Sequence, residues 1–251
     1  MLNLIKAELY KTSRRPFLYI TISLGFNLLI VVAGVAISNM MRATSTVMDF
    51  SPLAFTAINF IGAISFMMLA FMDVPMEEYK ENTLKNLVSS TLSREKIYLG
   101  KYIAQVIIFL IMEIAAVITM IVTSYIFGLV GPNGFSDFLD VIYRLLVAFP
   151  IYLSALALYD LITIIIKKET LAVVIILGIV SGVPIVFSIL DSLYGGVFTL
   201  IYPYLLFNPL KELVSIGLTD SIIGTNIIVG IVNTIVFLIL GLLVMKKQEV
   251  K

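Results

Sequence analysis

The chain has 251 residues, 60% of them apolar and only 13% charged, with a net charge of +1; soluble domains run at roughly 45–50% apolar and 25% charged, so this composition belongs in a membrane. It contains no Cys and no His, which excludes disulfide scaffolds, thiolate nucleophiles, Ser-His triads, zinc-protease helices and His-ligated haem, so an enzyme is not expected. There is no GxxxxGK[ST] phosphate loop, so any ATP hydrolysis falls to another chain, and the balanced charge without an aromatic-interleaved basic stripe excludes nucleic acid.

Residues 1–15 place Leu2, Ile5 and Leu9 at near-helical spacing, with Lys6 and Lys11 elsewhere on the turn. The pattern predicts an amphipathic helix lying on the inner leaflet, although a plain basic flank to the first span would share the composition. Six apolar segments then meet the roughly 20 residues needed to cross a bilayer: 17–38, 54–72, 102–127, 142–166, 171–190 and 223–245. The first run is too long for a secretory signal and has no small-residue cleavage site, so it reads as a span. The predicted fold is therefore all-α, a single polytopic membrane domain over 1–251.

Lys and Arg sort sharply between the two ends of these spans. Fourteen fall on one side: Lys6, Lys11, Arg14, Arg15, Lys80, Lys85, Arg94, Lys96, Lys101, Lys167, Lys168, Lys246, Lys247 and Lys251. Only Arg42, Arg144 and Lys211 fall on the other. An excess of basic residues in short loops marks the cytoplasmic face, so both termini and the 73–101 loop are predicted inside. The outer segment 191–222 carries Tyr202, Pro203, Tyr204, Phe207 and Pro209 ahead of LKELVSIGL. It either re-enters or lies at the interface, where tyrosine is favoured, or packs as a loop over the span ends.

The 73–101 loop is the longest charged interruption. Asp73, Glu77, Glu78, Lys80, Glu81, Lys85, Arg94, Glu95, Lys96 and Lys101 are mixed in sign, and Leu84, Leu87 and Val88 share a helical face. This predicts a short docking helix for a soluble partner, against the alternative of charges that only solvate the loop and set topology.

Within the spans, Glu113 is the one deeply placed acid, about 18 Å along the helix from Lys101. It would either meet a cationic substrate or proton, or be a hydrogen-bonded packing group. Asp160, seven residues before Lys167, is expected to snorkel or pair near the cytoplasmic end in a structural role. Asn27, Asn59 and Asn233 supply one amide each to spans 1, 2 and 6, suited to inter-helix hydrogen bonds more than to a substrate path. Pro150, and Gly182 with Pro184, should bend spans 4 and 5. The 11 Met and 16 Phe suit packing, lipid contact or an adaptable lining for a greasy substrate.

Taken together, a basic amphipathic N-terminus, six spans and an acidic-then-basic loop after span 2 resemble the permease subunit of a type-2 ABC transporter. The matching loop residues are Glu77, Glu78 and Glu81; Thr83, Leu84 and Leu87; then Ser89, Ser90, Ser93, Arg94, Ile97, Gly100 and Lys101, with Asn82 and Thr91 standing where that family usually has Gly and Pro. The resemblance implies two permease chains, identical or related, above two ATPase chains that bind ATP and Mg, with no cofactor on this chain. It also implies that the coupling helix around Thr83–Ser90 docks in a groove of the ATPase, with Glu81 and Lys85 on its polar side. Size and small outer loops are similar to short bacterial plasma-membrane permeases that give immunity to lantibiotics and other antimicrobial peptides. Drug, sodium, lipid or polysaccharide export are family alternatives. The rival of another class is a standalone ion-coupled carrier or scaffold, which should show paired half repeats and several midplane charges.

Overall fold

The structure, a computed structural model, describes residues 1–14, 25, 28–29, 32–36, 61, 64, 68, 73–80, 93–128, 130, 134–194, 196, 204–205, 207–213 and 218–248. Among these, all regular structure is helical. In chain order the helices are α1 (Leu2–Ser13), α2 (Asp73–Lys80), α3 (Arg94–Ile126), α4 (Gly134–Ile166), α5 (Glu169–Leu177), α6 (Val183–Leu193), α7 (Asn208–Glu212) and α8 (Asp220–Lys247). A π-helical turn, Gly178–Gly182, joins α5 to α6.

Four units are long and apolar enough to cross a bilayer: α3, α4, the continuous α5–π–α6 segment Glu169–Leu193, and α8. They coincide with the predicted spans 3 to 6. The predicted spans 17–38 and 54–72 lie mostly outside the described residues, and within them Val32–Ala36 is helical and Ile61, Ile64 and Met68 are buried.

The helices outrun the apolar windows for local reasons. Ser93 caps α3 by accepting from the Lys96 N–H at 3.4 Å, and Thr219 caps α8 by accepting from the Ile222 N–H at 3.4 Å. Acidic Glu95 and Asp220 occupy the first turns, and Lys246 and Lys247 the last turn of α8, each opposing the helix dipole. Between α4 and α5 the chain reverses through Lys167, a non-glycine residue at φ 56°. The bend expected at Gly182 and Pro184 takes the form of the π turn. Pro184 has no N–H to give and its ring crowds the preceding turn, and a wider turn accommodates both defects. Pro150, by contrast, sits inside α4 without ending it.

The core centres on α4. In its most apolar window 78% is buried, against 11–28% for the other three spans. The exposed apolar faces of those three are what a lipid-facing surface requires. Tyr102 Oη donates to the Leu153 carbonyl at 3.0 Å, Phe109 packs on Phe149 and Tyr152, and Tyr125 on Phe138. Numbers rise along α3 as they fall along α4, so these helices are antiparallel. α8 runs parallel to α4, because Gly230 lies against Pro150 and Ile151 while Gln248 Nε2 donates to the Ile164 carbonyl at 2.8 Å. A side chain at position 230 would put its Cβ 2.5 Å from the Pro150 carbonyl carbon, so glycine is what lets the two backbones approach. Tyr152 Oη donates to the Ile61 carbonyl at 2.8 Å and ties the second predicted span to the same core.

At one end of the bundle α7 is stapled down. Arg144 binds Asp140 at 2.6 Å and donates to the Leu213 carbonyl, and Asn226 Nδ2 donates to the Pro209 carbonyl at 3.1 Å. Asn208, Pro209 and Leu210 are buried there. This part of the 191–222 segment packs over the span ends.

Candidate functional site

The other end of the bundle gathers most of the charge. α1 reaches it through Leu4, which packs against Gly100 of α3 so closely that a Cβ there would lie 2.8 Å from Leu4 Cδ2. Leu4, Ile97, Tyr98, Ile164 and Met245 form a small core beneath it. The stripe that α1 buries is Leu4, Ile5 and Glu8, whereas Leu2 and Tyr10 are exposed. The helix predicted from Leu2, Ile5 and Leu9 is thus present, but it turns a mixed face, including an acid, toward the protein.

That acid enters an ion network joining three elements. Lys101 of α3 donates to Glu8 Oε1 at 3.3 Å and to the Val74 carbonyl at 2.8 Å, and pairs with Glu78 of α2. Lys11 of α1 binds Glu77 at 3.0 Å, Glu78 at 3.2 Å and Glu8 at 3.4 Å. Glu8 and Glu78 are each 2% exposed and Lys101 5%. Burial alone would lower the Lys11 pKa, but the hydrogen bond to Glu77 and the charges of Glu8 and Glu78 prevail and hold it above its ordinary 10.5. Glu8, Glu77 and Glu78 stand close enough for one cation, and the two ammonium groups occupy that role.

A second set of contacts clamps the end of α8 to the same region. Tyr79 Oη donates to Gln248 Oε1 at 2.8 Å, Arg94 donates to the Lys246 carbonyl at 3.3 Å and to the Gln248 carbonyl, and Lys246 faces Glu95 at 3.8 Å. Lys80 pairs with Glu169 at the head of α5, 2.7 Å away. Burial raises the Tyr79 pKa to about 12, with Gln248 opposing and Glu78 reinforcing the shift. Every described helix end that the basic-residue count placed on one side is therefore tied to α2, α3 or both.

The predicted site residues separate into groups. Glu77 and Glu78 lie on α2, and Ser93 and Arg94 open α3, on either side of the predicted coupling helix. Of these, Glu78 spends its carboxylate inside the protein. Glu81, Thr83, Leu84, Lys85, Leu87, Ser89 and Ser90 lie outside the described residues, as do Asn27 and Asn59. Glu113 is half-buried midway along α3, close enough to Tyr152 for its charge to be felt there. Asn233 is half-buried on α8. The buried amide of α8 is instead Asn226, which also donates to the Ile222 carbonyl at 2.9 Å. Asp160 does not snorkel: it is 1% exposed, and Gln105 and Lys101 lie within electrostatic reach of it. Residues missed in the sequence are Glu8, Lys11 and Asn226. A Glu three residues before Lys11 on a helix with apolar Leu4 and Ile5 was the available signal for the first two.

Residues 4–184 match the model of the ABC-2 family transporter protein. The search against curated proteins returns no match. The family model spans α1, α2, α3, α4 and the segment through Pro184, so it takes in the whole ion network and the turn between spans 4 and 5. Membership implies an ABC ATPase as the usual partner, and transport rather than catalysis as this chain's share of the work. With four apolar helices long enough to span a membrane among the described residues and a match over most of its length, the chain belongs to the ABC-2 transporter family and is a multi-pass membrane permease component.

Proposed function

We propose that this chain is the permease subunit of an ABC exporter, with both termini and the α1–α2 end on the cytoplasmic side of a bacterial plasma membrane. The observation that supports the reading is the family match joined to one charged end, where α2, which leads into the predicted coupling segment, is knitted to three spanning helices. A partner whose push reaches α2 would act on an element tied into the bundle, which is what transmitting an ATPase's motion requires. Coupling runs through Glu77, Glu78, Glu81, Thr83, Leu84, Lys85, Leu87, Ser93 and Arg94. The ATPase chains, two copies, hold ATP and Mg, and a second permease, identical or related, completes the pathway.

The substrate is a hydrophobic or amphipathic compound, with an antimicrobial peptide of the lantibiotic or bacteriocin type as the leading candidate. Glu113, Asn27, Asn59 and Asn233 would line its path. Drug, sodium or lipid export is the alternative within the family, and a standalone carrier or scaffold the alternative outside it. Leu84→Pro, which breaks a helix at the coupling position, should abolish ATPase association while leaving this chain in the membrane. Normal association would sink the docking assignment.

A further inference from the structure

Lys101 has three N–H bonds, and all three are engaged, by Glu8, by the Val74 carbonyl and by Glu78. Two of those acceptors, Val74 and Glu78, belong to α2, the helix that leads into the predicted coupling segment. On α4, facing the same region, lies Asp160, a buried carboxylate whose hydrogen-bonding neighbour among the described residues is the neutral amide of Gln105, with no ammonium in contact. A carboxylate in that state is costly, and its natural remedy is an ammonium. Between the two lies a cavity lined by Glu78, Tyr98, Lys101 and Asp160, among others. It leaves ≈ 20 Å³ in which the centre of a water-sized group can sit, and an ammonium is about that size.

We infer that Asp160 is the second, alternative acceptor for Lys101, so that withdrawal of α2 transfers the Lys101 ammonium through this cavity from Glu78 to Asp160. The geometry makes the pair a two-position switch: one lysine on α3, with an acid on the coupling side and an acid on the central spanning helix. In the described position Lys101 holds α2 against the bundle. In the other it binds α3 to α4, two antiparallel spans, and leaves Glu78 to Lys11, which already contacts it at 3.2 Å. No net charge moves into or out of the protein, since the ammonium exchanges one carboxylate for another. The switch rests on the permease reading for its purpose, but its existence is a property of this chain alone.

The test is a stability cycle on the full chain in detergent or nanodiscs, with no ATPase present. Asp160→Asn is made in the natural background and in the Glu78→Gln background, and the melting temperature of each protein is read by size-exclusion chromatography after heating. In the natural background Asp160→Asn should be neutral or raise the melting temperature, because it removes a buried carboxylate that is faced by the neutral Gln105 amide and by no ammonium in contact. In the Glu78→Gln background, where Lys101 turns to Asp160, the same substitution should lower it. An equal shift in both backgrounds overturns the switch. Should Glu78→Gln fail to fold, Glu78→Asp, which keeps the charge but draws it one methylene back from Lys101, serves as the second background with the same two outcomes. A positive cycle together with no ATPase recovered from native membranes would sink the permease reading and leave the switch standing; an additive cycle with ATPase recovered would do the reverse.

Discussion

Replacing Lys101 by Met keeps the length of the side chain and deletes the ammonium at the centre of the network. Three interactions vanish: the pair with Glu78, the bond to Glu8 at 3.3 Å and the bond to the Val74 carbonyl at 2.8 Å. The acids stay behind, each 2% exposed. Breaking a buried ion pair by removing one partner costs about 3–5 kcal/mol, because the remaining charge is left uncompensated. Lys11 still reaches both acids, yet its side chain is 44% exposed and water shares its charge, so it offsets the loss only in part and the expected cost is about 3 kcal/mol. The second half of the argument is a rescue. Glu78→Met in the Lys101→Met background restores an apolar match across α2 and α3 and should recover more than half of the loss, since buried pairs are often replaceable by packed apolar groups. Both variants are read by unfolding in graded denaturing detergent. A Lys101→Met cost below about 1 kcal/mol, or a double variant no better than the single, would refute the account of how α1 and α2 are held.

Three further outcomes follow from separate features. Gly230→Val should cost at least 2–3 kcal/mol, roughly the overpacking range, because its Cβ would meet the Pro150 backbone at 2.5 Å and Ile151 N at 2.7 Å; unfolding that matches the parent protein would contradict the parallel contact of α4 and α8. Lys167→Val should cost about 1–2 kcal/mol relative to Lys167→Gly, since a β-branched residue at φ 56° is strained and glycine is not; equal stability of the two would remove the strained turn from the account. The Tyr79 pKa is raised in the folded protein from 10.0 to about 12, so folding favours the neutral phenol. Its contribution is complete below pH 10 and is lost as pH rises from 10 toward 12. Tyr79→Phe should flatten that part of the alkaline stability profile, and an unchanged profile would show that the Tyr79 phenol is not buried as described.

Much of the fold is legible in the residues. The four described spans stand where apolar runs of about twenty residues or more occur, and the basic residues gather at one end as their counts suggest. What escaped the reading has identifiable causes. The region 94–101 reads as loop because it carries Arg94, Glu95, Lys96 and Lys101, yet Ser93 caps a helix there and Ile97, Tyr98 and Gly100 face inward. The Gly100–Lys101 pair reads as a motif, but its physical purpose, to admit Leu4 and to hold Glu8 and Glu78, depends on Glu8, 93 residues away, on Leu4 of the same helix and on Glu78 of α2. Such pairings have no periodicity to betray them. By its distance from Lys167, Asp160 reads as an acid that snorkels or pairs near the cytoplasmic end, and only the packing of α2 over the end of α4 shows that its route to water is closed. Asn226, unlike Asn233, stands at the edge of an apolar window, where a polar residue carries no signal in the sequence; its value lies in the Pro209 carbonyl that α7 brings to it.

The central claim is that a soluble ATPase grips the loop between α2 and α3. The chain has no cysteine, so a single reactive site can be installed without removing any other. A photo-crosslinking residue at Lys85 and, as control, at Lys211 on the opposite end, would be activated in native membranes and the adducts identified by mass spectrometry. The account predicts that position 85 captures an ATP-binding protein and position 211 does not. Capture at 211, or at neither position with the chain intact in the membrane, would contradict it.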